Sequence, residues 1–135
     1  GRHRAVLVVQ DGRIIAERYA AGTDATTTHL SWSVAKSVTH AAIGLAVERG
    51  VLDPTEPMRH REWSAADDPR GDITVGDLLE MRSGLRFVED YVDDARSDCL
   101  EMLFGRGADD VAAYAASLPL EHPVGSEFNY SSGTT

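Results

Sequence analysis

The chain has 135 residues, 42% of them apolar, enough for one domain with a core of its own. Its formal charge of −9 and its pI near 4.9 argue against a nucleic-acid partner or an anionic membrane surface, both of which attract basic patches. One cysteine, Cys99, excludes an internal disulfide framework and offers no pair for a zinc site, and the longest apolar run, Ala41 to Val47, is too short to span a bilayer.

Two β-rich runs open the chain, Ala5-Val6-Leu7-Val8-Val9 and Arg13-Ile14-Ile15-Ala16-Glu17-Arg18-Tyr19, on either side of Gln10-Asp11-Gly12. Asp-Gly between such runs predicts a hairpin, because the tight turn needs positive φ. Residues 20–30 read as a Thr/Gly/Asp loop that delivers the chain to a helix starting near Ser33. From Val34 to Val47 that helix is apolar on almost all sides, which predicts a place in a core. Gly50 is its expected left-handed cap, with Asp53-Pro54 behind. Residues 53–72 hold four prolines or glycines and much charge, and read as surface loop. Thr74 is the predicted cap of a short helix over Val75 to Arg82, with Asp77 in its first turn and Gly84 closing it. Leu85 to Ser97 reads as an acidic loop. Helices are predicted at about Asp98 to Phe104 and Asp109 to Ser117, broken by Gly105-Arg106-Gly107. Pro119 and Pro123-Val124-Gly125 then lead an extended piece into Phe128-Asn129-Tyr130. One hairpin is marginal alone and cannot cover so apolar a helix, so residues 1–135 are expected to be part of a domain. The chain opens Gly1-Arg2-His3-Arg4 without an initiator methionine, and export is not read from it.

Thirteen residues are basic, and twelve of them are arginine; the lone lysine is Lys36. Arginine serves a surface charge as well as lysine does, but only a desolvated lysine can give up its proton. Lys36 follows Ser33 by three residues in Ser31-Trp32-Ser33-Val34-Ala35-Lys36-Ser37. An i, i+3 pair shares a helix face, which puts a hydroxyl beside an amine, the arrangement of a serine nucleophile with its own base. With ten serines in the chain this spacing alone is a weak signal, and a solvated lysine at a helix start is the plain alternative. The apolar helix tips the balance, because an ammonium on its opening turn is costly unless paired or partly deprotonated. Trp32 reads as a packing residue that fixes the helix start. The histidines, His3, His29, His40, His60 and His122, are scattered without ligand spacing, so neither a metal nor any other cofactor is expected. Cys99, within Cys99-Leu100-Glu101-Met102-Leu103-Phe104, reads as a buried inert thiol.

Ser31 to Ser37 resembles the first motif of the serine β-lactamase and penicillin-binding protein superfamily. The nearest likeness is to the branch holding class C β-lactamases, related esterases, D-alanyl-D-alanine peptidases and 6-aminohexanoate-dimer hydrolases. Asp77-Leu78-Leu79-Glu80-Met81-Arg82-Ser83-Gly84-Leu85 is similar to the Leu-Leu-x-x-x-Ser-Gly-Leu segment of that branch. Pro123-Val124-Gly125-Ser126-Glu127-Phe128-Asn129-Tyr130-Ser131 is similar to its Pro-Gly-x-x-Phe-x-Tyr-Ser approach to a second motif. The opening hairpin matches the first two strands of its sheet. Four likenesses in order are far more specific than one short motif.

The resemblance implies an α/β (α+β) fold of the β-lactamase/transpeptidase type, an antiparallel sheet flanked by helices, incomplete here because the third motif of the family, a Lys-Thr-Gly or His-Thr-Gly strand, has no counterpart in the 135 residues. It also implies a serine hydrolase acting on an ester or amide, a small molecule or a peptide, through an acyl-enzyme on Ser33. Lys36 and Tyr130 move protons, and Ser132 meets the substrate. Class C β-lactamases carry Tyr-x-Asn where this chain has Tyr130-Ser131-Ser132, which favours esterase or amide hydrolase over lactamase. From its spacing alone Tyr130 reads rather as an aromatic packed in the core with Phe128, and it is the motif context that favours catalysis. Tyr91 and Asp93-Asp94 lie in the acidic loop, which in the family can edge the active-site cleft and otherwise is merely solvated. The rival is a catalytically silent relative that binds a peptide or cell-wall ligand in the same cleft.

Overall fold

The computed structural model describes residues 3–92 and 96–135, so the Asp93-Asp94 part of the acidic loop lies outside the described residues. The chain divides into two compact units, residues 1–33 and 34–135.

The first unit is built on the expected hairpin. Strands β1 (Ala5–Gln10) and β2 (Arg13–Tyr19) pair antiparallel, with Gln10 opposite Arg13 and Ala5 opposite Tyr19. Asp11 and Gly12 both take positive φ, +49° and +74°, as the two-residue turn requires. The register shifts after Val8, which leaves Ile15 as the extra residue of a bulge. Beyond β2 the chain is tied back to its start: the Ala20 N–H and the Thr23 hydroxyl both donate to the Arg4 carbonyl, at 2.8 and 2.9 Å. Asp24 then accepts from the Thr26 N–H and from the hydroxyls of Thr26 and Thr27.

The second unit opens with helix α1 (Val34–Glu48). It ends as the sequence predicts. Gly50 sits at φ +67°, its N–H donates to the Val47 carbonyl, and the Val51 N–H reaches back to Ala46 at 2.9 Å. Its expected burial does not hold, since no residue of α1 is buried. Lys36, Thr39, Ile43 and Ala46 are half-buried, and at 100° per residue they form one stripe. Val34, Val38 and Leu45 form the opposite stripe and are exposed, at 67%, 69% and 51%. Apolar pattern states what a helix can bury, and here only the stripe that carries Lys36 is covered. Trp32, expected to pack, is likewise 73% exposed.

Residues 53–72 are more than surface loop. They fold into 3₁₀ turns at Arg61–Trp63 and Pro69–Asp72, and Trp63 is buried with its indole N–H donating to the Ala116 carbonyl at 2.8 Å. Thr74 caps helix α2 (Val75–Leu79) with a reciprocal box to Asp77. This helix stops three residues short of the predicted Arg82. Met81 takes φ +57°, and the Arg82 N–H closes on the Asp77 carbonyl at 2.7 Å, so Met81 does the work assigned to Gly84. Helices α3 (Asp98–Phe104) and α4 (Val111–Ser117) lie where predicted, capped by Ser97 and Asp110. The core forms around them in two clusters, Phe87, Cys99, Met102, Ala115 and Leu118 in one, and Trp63, Ile73, Leu85 and Ala116 in the other.

A backbone seam joins the two halves of this unit. The Arg86 N–H donates to Pro119, Glu121 to Gly84, Gly125 to Arg82 and Asn129 to Met81, all at 2.8 or 2.9 Å. An antiparallel hairpin in the first unit with helices and this seam in the second matches the expected fold class.

The Ala116 carbonyl also accepts from Arg70 Nη1 at 3.1 Å, so Trp63→Phe leaves it partnered. That substitution is expected to cost about 1 kcal/mol, and Trp63→Ala about 3–5 kcal/mol through the cavity it opens. Urea unfolding checks the contrast, and equal costs would refute it.

Candidate active site

Three of the four residues singled out from sequence, Lys36, Tyr130 and Ser132, meet around the Lys36 Nζ. Lys36 lies on the covered stripe of α1. Its Nζ donates to Ser132 Oγ at 3.1 Å and sits over the Tyr130 ring, 5.2 Å from the centroid. The seam sets this meeting: once the Asn129 N–H is fixed on Met81, Tyr130 follows directly and Ser132 opens a 3₁₀ turn over Ser132–Thr134. The turn is held from inside by buried Ser131, whose hydroxyl accepts from the Gly133 N–H at 3.0 Å. Gly133 passes so close to Phe87 that a Cβ there would lie 2.5 Å from the ring. Tyr130 is 41% exposed and Phe128 70%, so packing against Phe128 in a core is not its role.

Ser33, the fourth, is the last residue of the first unit, exposed, and bonded directly to Val34 where α1 begins. Trp32 ahead of it takes φ +47°, a conformation costing on the order of 1–3 kcal/mol for a bulky residue.

The residue that sequence reasoning passed over is Glu89. Oε2 accepts the Ser132 N–H at 2.8 Å, while Oε1 accepts the Ser132 hydroxyl at 2.7 Å and the Tyr91 hydroxyl. Glu89 is delivered by its neighbour: the Val88 N–H donates to Asp98 at the start of α3 at 2.8 Å, and Asp98 also takes Arg86 and the Tyr114 hydroxyl. Half-burial alone would raise the Glu89 carboxyl. The hydrogen bonds from Tyr91 and from both groups of Ser132, with the Lys36 charge nearby, outweigh it and hold the carboxyl below the usual glutamate range. Tyr91 is thereby tied into the cluster rather than simply solvated, and its hydroxyl is pushed well up, first by the bond to Glu89 and then by burial. Cys99 lies under the same groups, fully buried, its thiol raised chiefly by desolvation, which agrees with an inert thiol. No signal in the sequence marks Glu89 among the acids of its loop.

Among the described residues no group of three His, Cys, Asp or Glu side chains could hold a metal ion, and no helix is long and apolar enough to cross a membrane. The cluster brings together the Lys36 amine, the Tyr130 ring, the Ser132 hydroxyl and the Glu89 carboxylate.

The beta-lactamase family model matches residues 4–135. A 6-aminohexanoate-dimer hydrolase from Paenarthrobacter ureafaciens is 32% identical over 91 residues, which cover 67% of this chain and 23% of that protein. A solved Bacillus anthracis structure, provisionally named a 6-aminohexanoate-dimer hydrolase, superposes with a TM-score of 0.75 at 22% identity, over 96% of this chain and 37% of that one. The chain therefore spans well under half the length of these relatives.

Because the Glu89 carboxyl ionises more readily folded than unfolded, its contribution to stability is complete above its ordinary value of 4.5 and fades as the pH falls through the lower folded value. Glu89→Gln is expected to lower the urea midpoint at about pH 7 and to differ much less from the parent at about pH 3. A gap that stays constant between the two would show that the carboxylate charge is not what Ser132 and Tyr91 hold.

Proposed function

We propose that this chain, which belongs to the beta-lactamase family, carries the acylating part of a serine-hydrolase site that acts on an ester or amide bond. Ser33 is the nucleophile, Lys36 and Tyr130 move its proton, and Ser132 meets the substrate. The observation that carries the reading is the convergence of Tyr130 and Ser132 on the Lys36 Nζ, across 96 residues of sequence in the case of Ser132.

In this reading Ser33 Oγ attacks the carbonyl carbon while its proton passes to the Lys36–Tyr130 pair. The proton then goes to the leaving alcohol or amine, and water releases the acyl group from Ser33. Ser33 immediately precedes the first residue of α1, a helix of 15 residues. Its own N–H and the positive end of the helix favour the oxyanion that develops there. The Ser132 hydroxyl, where class C β-lactamases carry an amide, favours an ester or an open-chain amide over a lactam. The relative named for hydrolysis of 6-aminohexanoate dimer makes a short linear amide the first substrate to try.

The test is intact mass of the full-length protein after a fluorophosphonate, with hydrolysis of a chromogenic ester beside it. One adduct is expected, absent in Ser33→Ala. Lys36→Ala and Tyr130→Phe should each slow ester hydrolysis by about 10²-fold or more. An adduct that survives Ser33→Ala would remove Ser33 as nucleophile, and a full-length protein that takes up no probe would favour a silent ligand-binding relative.

A further inference from the structure

The proton path just described leaves one carboxylate without a part. Once ionised, Glu89 has no proton to donate, and it takes both donors of Ser132, the N–H at 2.8 Å and the hydroxyl at 2.7 Å. A serine hydroxyl has one proton. With that proton directed to Glu89, only lone pairs face Lys36, whose Nζ stands 3.1 Å away. Lys36 must therefore be the donor in this bond, whether it is an ammonium or a neutral amine.

We propose that Glu89 is a positioning residue that fixes the direction of the Lys36–Ser132 hydrogen bond and so keeps the amine lone pair turned away from Ser132. Its consequence for catalysis rests on the proposed function. A neutral Lys36 takes a proton from Ser33 only if its lone pair is unoccupied. Without an obligate acceptor at position 89, the Ser132 hydroxyl could turn and donate to the amine, filling that lone pair. Tyr91 steadies the arrangement by donating to the same Glu89 oxygen. The lowered pKa of Glu89 agrees, since a protonated carboxyl would itself donate and reverse the chain.

Full-length protein labelled with [ζ-¹⁵N]lysine tests this without needing turnover, the Lys36 signal being the one absent from Lys36→Arg. That signal is expected to move in Glu89→Gln, whose amide can donate to Ser132, and to stay close to the parent position in Glu89→Asp, which keeps a carboxylate. Ester kcat should fall by about tenfold in Glu89→Gln with KM held within about twofold, and Ser132→Ala should absorb the effect, so that the double variant is no slower than the single. A Lys36 signal unmoved by Glu89→Gln, or losses that multiply in the double variant, would overturn the proposal. If Glu89→Gln fails to fold, Ser132→Ala carries the test, because it removes the acceptor and must move the same signal. A moved signal in a protein that forms no Ser33 adduct would sink the proposed function and leave the role of Glu89 standing. An adduct with an unmoved signal would do the reverse.

Discussion

No side chain fits where Gly84 passes His122. A Cβ at Gly84 would stand 2.3 Å from the His122 carbonyl oxygen, and the backbone there takes φ +76°. The Gly84 carbonyl meanwhile accepts from both Glu121 and His122, at 2.9 and 3.2 Å. This contact pins residues 81–86 against 119–129, and the placement of Tyr130 and Ser132 depends on it. One step along the seam the Gly125 N–H lands on Arg82, and one further the Asn129 N–H lands on Met81. Met81 holds its left-handed conformation at a cost of about 1–2 kcal/mol. Its carbonyl holds Asn129 and its sulfur lies 2.8 Å from the Thr134 hydroxyl. The strained turn after α2 thus addresses the residues on both sides of Ser132.

Charge is divided along chemical lines. Arginines take structural posts: Arg70 pairs with Asp68 at 2.6 Å and donates to the Ala116 and Leu118 carbonyls at the end of α4, and Arg86 meets buried Asp98. A planar fork suits such multiple acceptors, and it keeps its proton throughout. Lys36 instead meets a hydroxyl, to which an amine can donate in either protonation state, and the face of the Tyr130 ring. The arginine bias visible in the composition has a counterpart in where Arg70, Arg86 and Lys36 stand.

The hairpin, the α1 start and stop, the Thr74 cap and helices α3 and α4 were legible because each is written in residues that touch locally. So were Lys36, Tyr130 and Ser132, through motif order. Three things were not. The covered face of α1 was hidden because its pattern is apolar on opposite sides, and periodicity does not name the element that packs on either. Trp63 was lost in a stretch rich in proline and charge, and its burial comes from Ala116, 53 residues away. Glu89 was lost because an acid in an acidic loop carries no local mark; Ser132, 43 residues on, gives it meaning. The end of α2 failed for a different reason. Gly84 looked like the cap because glycine favours positive φ, yet tertiary bonds to Asn129 and Thr134 hold Met81 there instead.

The exchange of an amide for a hydroxyl at position 132 acquires a physical sense from this geometry. An asparagine offers its acceptor and its donor on separate atoms, so a cation and a carboxylate bound to it are kept apart by the width of the amide. The Ser132 oxygen accepts from Lys36 at 3.1 Å and donates to Glu89 at 2.7 Å through one atom. Lys36 and Glu89 are then joined through a single oxygen. Turning that hydroxyl away from Glu89 would free its one proton to face Lys36, so Glu89 sets the direction of the chain. The short side chain that departs from the Tyr-x-Asn pattern is the one that allows Glu89 to control Lys36 at all.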